Sequence, residues 1–94
     1  MKSVITKKNI KTGFVEGKVE VDKTKYKFQA KVYGKGSVYG INEGRVSKLW
    51  VWRAEENIRN SFISYDRGWE YSPTNKTEED ILNAILKMFE KEGI

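Results

Sequence analysis

Residues 75–93, NKTEEDILNAILKMFEKEG, decide the fold. Ile81, Leu82, Ile85, Leu86 and Phe89 recur at spacings of three and four, with Ala84 and Met88 beside them, so one stripe of a helix would be apolar and the rest charged. The pattern predicts an amphipathic helix of about four turns. Thr77 is the expected N-cap, and Glu78, Glu79 and Asp80 fill the first turn, where carboxylates meet unpaired amides and the positive end of the helix dipole. Gly93 is expected to end the helix. A helix with one apolar stripe needs an apolar surface to cover, and upstream of it the period changes to two.

In FVEGKVEV (14–21), Val15, Gly17, Val19 and Val21 fall on one side and Glu16, Lys18 and Glu20 on the other. Asp22, Lys23 and Thr24 supply a polar turn. KYKFQAKVY (25–33) then places Tyr26, Phe28, Ala30 and Val32 on one face and Lys25, Lys27, Gln29, Lys31 and Tyr33 on the other. A slip of one residue would bury three lysines, so the facing of this hairpin is well determined. The segment GKGSVYGINEG (34–44), rich in glycine, reads as a loop. A third strand is expected at Arg45–Arg53 and a fourth at Ser61–Asp66, after which Gly68 and Pro73 mark a change of direction. Residues 1–12 form a basic lead-in, read as a flexible segment or an edge strand, and 13–94 a single domain. The expected fold is α+β, a four-stranded antiparallel sheet with one C-terminal amphipathic helix packed on one face.

A chain of 94 residues has room for one small core, and three Trp, five Tyr and four Phe supply the large buried areas that such a core needs. The formal charge of +5 is unevenly spread. Residues 1–53 carry 13 Lys or Arg against 4 acids, and residues 54–94 carry 5 against 9, which predicts a basic sheet joined to an acidic helix. With no Cys, nothing ties the chain to an oxidising compartment. No apolar run suits a signal peptide or a membrane span, so the cytoplasm is the expected location and a membrane is not an expected partner.

Without His or Cys the usual proton carriers and nucleophiles are missing, and no enzyme is expected. Gly34-Lys35-Gly36-Ser37 has the wrong spacing for a phosphate loop and opens no helix. Asp66, Glu70, Glu55 and Glu56 are oxygen ligands of the kind Mg²⁺ takes, and Glu16-Gly17-Lys18 resembles the end of some nuclease motifs, but neither spacing demonstrates convergence. No cofactor or metal is expected.

The stretch RVSKLWVWR (45–53) is the ambiguous one. Arg45, Ser47, Leu49, Val51 and Arg53 share one face and Val46, Lys48, Trp50 and Trp52 the other, so alternation leaves open which face meets the helix. If the tryptophans enter the core, they are structural. On the open face beside Lys25, Lys27, Lys31 and Lys48 they would be plates on which unpaired bases stack while lysines neutralise phosphates. Alternatively Arg45, Lys48, Trp50, Trp52, Arg53, Tyr65, Arg67 and Trp69 are anchors for another protein or a second copy of this chain, since Trp, Tyr and Arg concentrate binding energy at interfaces.

Two motifs carry a resemblance: Gly40-Ile41-Asn42, Gly44-Arg45 and Ser47-Lys48-Leu49, followed some twenty residues on by Tyr65-Asp66-Arg67-Gly68-Trp69. Between Phe14 and Pro73 the chain resembles a family of small uncharacterised proteins from phages and prophages of Gram-positive bacteria, with the pattern GIN-x-GR-x-SKL and then YDRGW. The resemblance implies a phage or prophage origin and a bacterial host cytoplasm, and carries no activity. Turn chemistry accounts for Asn42, Gly44, Asp66 and Arg67 without a ligand. The expectation from sequence is therefore a non-catalytic accessory protein acting as a small protein–protein interaction module, as small phage proteins commonly act by occlusion; the alternative partner is nucleic acid.

Overall fold

The computed structural model describes residues 2–8, 12–36 and 38–92. Residues 9–11 of the lead-in and Gly93, the expected helix terminator, lie outside them. Among the described residues six antiparallel strands run in sequence order across one sheet: β1 (Lys2–Lys8), β2 (Phe14–Val21), β3 (Thr24–Val32), β4 (Val46–Arg53), β5 (Ile63–Asp66) and β6 (Trp69–Tyr71). One α-helix among the described residues, α1 (Lys76–Glu92), follows. The α+β class, the antiparallel sheet and the C-terminal helix are as expected, but the four-strand count is not. Five strands have four residues or more and β6 adds a sixth of three. The extra strands sit at the two edges, where a strand needs only one neighbour and leaves a weak pattern in sequence.

The β2–β3 hairpin closes on two residues, Asp22 and Lys23, both at positive φ (47° and 69°), the backbone geometry that matches the twist of the flanking strands. The register pairs Gly17 with Phe28 and Lys18 with Lys27, so the predicted facing holds. Gly17 is required by contact. A Cβ there would stand 2.5 Å from the Phe28 ring and closer still to the Val4 carbonyl oxygen of β1. Phe28 itself is 1% exposed and meets Phe89 of α1 edge to face, with ring centroids 6.0 Å apart.

The apolar face of the sheet and the stripe of α1 make one core, with Val19, Phe28, Leu49, Val51, Ile63, Ile81, Ile85 and Phe89 almost wholly buried. The β3–β4 connection folds onto the same side. Ile41 is buried there, and the Tyr65 hydroxyl donates to the Tyr39 carbonyl at 2.7 Å. Gly40 is fixed within this loop, because a Cβ would overlap the Gly44 carbonyl oxygen. Asn42 takes the left-handed conformation (φ 54°) that asparagine tolerates better than most residues.

The helix start also differs from expectation. Asn75, not Thr77, is the cap: its Oδ1 accepts from the Glu78 amide at 2.9 Å. Glu78 folds back, its Oε1 accepting from the amide and hydroxyl of Thr74 at 2.9 and 3.0 Å. The helix begins one residue earlier than Thr77, at Lys76, so Asn75 takes the position from which a short side chain reaches an unpaired amide three residues on.

Candidate functional site

The helix decides where the tryptophans go. Leu49 and Val51 are fully buried beneath α1 and the loop, so Trp50 and Trp52, one residue out of phase, stand on the opposite face. There they are half-buried against the sheet, with no second layer above them among the described residues. Trp50 lies between Gln29 and Ser64, and Trp52 beside Lys27. The core reading of these two residues is thereby replaced by a surface one.

Lysines surround this pair. Lys27 faces Lys18 directly across β2 and β3, and Lys31 faces Lys48 across β3 and β4. Like charges placed opposite one another weaken a sheet by roughly 0.2–1 kcal/mol each. The Lys31 ammonium is held over two rings, 5.6 Å from the Phe14 centroid and 5.5 Å from that of Tyr33. Lys48 has a partner in Asp66 at 3.5 Å, an exposed pair of small energetic value. The face also carries Glu16 and Glu20 on β2, while Glu70 accepts from the Ser64 hydroxyl at 3.0 Å on its far side. The central strip of β3 and β4, from Lys25 through Lys27, Gln29 and Lys31 to Lys48, Trp50 and Trp52, has no acid in it.

The eight anchors expected from sequence do not form one surface. Lys48, Trp50 and Trp52 lie on the open face, whereas Tyr65 is 6% exposed within the core. Arg45 is engaged inward: its Nε donates to the Tyr33 carbonyl at 2.8 Å and its Nη1 to the Phe89 carbonyl at 3.3 Å, near the end of α1. Arg53 pairs with Tyr26 and lines a cleft of about 300 Å³ with Glu56 and Glu78 at the other end of the helix. Arg67 and Trp69 belong to the β5–β6 hairpin. Trp69 is 45% exposed, its ring edge-to-face with Tyr65 at 4.9 Å, and Arg67 stands at φ 56° with its side chain largely exposed. Lys25, Lys27 and Lys31, in contrast, all share the face of Trp50 and Trp52.

Among the described residues no three acidic side chains gather as a metal site would need, and no helix is long and apolar enough to cross a membrane. The family model of a domain of unknown function, DUF7678, matches residues 13–90. The chain belongs to this family. No curated protein and no solved structure matches it. The DUF7678 segment contains β2 through β6 and most of α1, and with them the whole basic aromatic strip; β1 precedes it.

The motif residues of this DUF7678 protein have mostly structural work. Gly40 and Asn42 shape the loop, Arg45 ties it to the helix, and Arg67 donates its amide to the Ser47 carbonyl at 2.9 Å. Sequence reasoning passed over Ser47. Its signal was a polar residue in phase with Leu49 and Val51, on the face expected to be apolar.

Proposed function

We propose that this protein is a non-catalytic phage or prophage accessory protein, working in the cytoplasm of a Gram-positive host, that binds single-stranded nucleic acid along β3 and β4. The origin and location rest on the resemblance in the two motifs. The binding reading rests on one observation: the six residues that stacking and phosphate neutralisation require, Lys25, Lys27, Lys31, Lys48, Trp50 and Trp52, share an uncovered face, with carboxylates at its margins where Glu20 lies opposite Lys25 and Asp66 stands 3.5 Å from Lys48. Tryptophan faces take bases of any sequence, and the lysines track the backbone. The opposed lysine pairs support the same reading, since their repulsion in the free protein is relieved by an anion between them.

The test is a fluorescence titration of a Trp69→Phe background, in which Trp50 and Trp52 report alone, with single-stranded DNA and RNA at low and moderate salt. Quenching that weakens steeply with salt is expected, and replacing Lys27 and Lys31 together by Gln should lower the log–log salt slope by about 1.4, at roughly 0.7 per phosphate contact on single strands. A flat titration would sink the nucleic-acid reading. The second reading, a protein partner or a second copy, is favoured by Glu16, Glu20 and Asp66 flanking half-buried tryptophans, the mixed charge around aromatic anchors that protein interfaces carry. It predicts Trp50 and Trp52 indifferent to nucleic acid and a sedimentation coefficient that rises with protein concentration or with added host protein.

A further inference from the structure

The register of β3 and β4 breaks at one point. Lys31 pairs with Lys48 and Val32 with Val46, which leaves Ser47 as the extra residue of a β-bulge. Bulges re-aim a side chain, and here the result is unusual: Ser47 is 3% exposed and its hydroxyl, alone among the buried side-chain polar atoms of the described residues, has no hydrogen-bond partner. Buried hydroxyls are seldom left so. The same residue holds a second irregularity in place, because its carbonyl accepts from the amide of Arg67, a non-glycine residue at φ 56°. Such backbone conformations persist where neighbouring structure imposes them.

Ser47 and Arg67 line a cleft of about 590 Å³ together with Tyr33, Lys35 and Tyr39, and Ser47 is the one buried member of that lining, its hydroxyl closed off from solvent. Arg67 and Lys35 bring two cations to the rim, the rings of Tyr33 and Tyr39 are 47% and 59% exposed, and Gly34 and Gly36 let the backbone approach a ligand closely. A cleft of this size, largely apolar with a few convergent polar groups, suits a small organic molecule. We propose that it is a binding site for a planar aromatic anion of mononucleotide size: the ring lies against Tyr33 or Tyr39 and the anionic group meets Arg67 and Lys35, over the bulge that Ser47 forms. The site adjoins the strip at Lys31, whose ammonium stands over the Tyr33 ring, but includes neither Trp50 nor Trp52 and stands whether or not they bind nucleic acid.

The experiment is an amide-resolved NMR titration of the whole chain with adenosine 5′-monophosphate, adenosine and inorganic phosphate, each alone. Adenosine monophosphate should shift the amides of Lys35, Ser47 and Arg67, while the nucleoside and phosphate should each bind about tenfold more weakly or worse, because each supplies only part of the contact set. Arg67→Gln should weaken the nucleotide about tenfold, the value of a charge-assisted pair of hydrogen bonds. Ser47→Ala, at a hydroxyl the ligand does not reach, and Lys27→Gln should leave it unchanged. No localised shift at millimolar nucleotide would overturn the proposal, as would shifts that phosphate reproduces in full or that centre on Lys27 and Trp52. Should Ser47→Ala fail to fold, Arg67→Gln, at an exposed side chain, carries the test.

Discussion

Replacing Arg45 should unfasten the end of the helix from the sheet without touching the open face. Its guanidinium joins the carbonyl of Tyr33, where β3 ends, to that of Phe89, one of the last carbonyls of α1, 44 residues away. A hydrogen bond from a charged donor contributes about 1.5–3 kcal/mol when fully desolvated. Tyr33 is exposed, so water replaces the first bond in part; the second, at 3.3 Å, is long but partly buried. With about 0.5 kcal/mol more from a cation at the negative end of the helix dipole, Arg45→Ala should cost about 2 kcal/mol. For a domain of this size that lowers the melting temperature by roughly 8–16 °C. Arg45→Lys should restore about half, since one ammonium replaces the dipole term but not both bonds. The assay is thermal unfolding by circular dichroism, paired with amide exchange, where lost protection should appear in the last turn of α1. Melting within about 2 °C of the parent would refute the reasoning, since even one of these bonds should move it further.

Gly17→Ala should destabilise by about 3 kcal/mol, the upper end for overpacking, because the methyl meets both the Phe28 ring and the Val4 carbonyl. Adding Phe28→Leu should recover about 1 kcal/mol of it in a double-mutant cycle measured by urea unfolding, and strict additivity would disprove the contact. Asn75→Ala should cost about 1 kcal/mol, the usual value of a helix cap, while Thr77→Ala should change the urea midpoint little; the reverse order would restore Thr77 as the cap.

Where local chemistry set the outcome, the sequence was legible. The helix stripe from Ile81 to Phe89 and the alternation in β2 and β3 each carry their own period, and a wrong phase would have buried charges. The edges were legible only in part: residues 1–12 read as a flexible segment or an edge strand, and β6 gave no strand signal. In β1 the valine at position 4 is 55% exposed, and all three residues of β6 are exposed, so neither strand needed an apolar pattern to pair. Helix capping was missed by two residues because Asn75 and Thr77 are both good caps and only the observed hydrogen bond distinguishes them.

The sequence by itself determined that one amphipathic helix must lie on one face of an antiparallel sheet, because burying an apolar stripe is the dominant local demand and leaves no other partner. It could not say which side of β4 that face was, since Leu49 and Val51 compete there with Trp50 and Trp52 on nearly equal terms. The tertiary structure decided it by register: Leu49 and Val51 lie across from Ala30 and Phe28, which the lysines of β3 hold inward, and the tryptophans follow to the other side. The same long-range geometry turned Arg45 into a tie to the helix and placed Ser47 in a bulge. Both depend on atoms far away in the chain, and no local pattern records such distances.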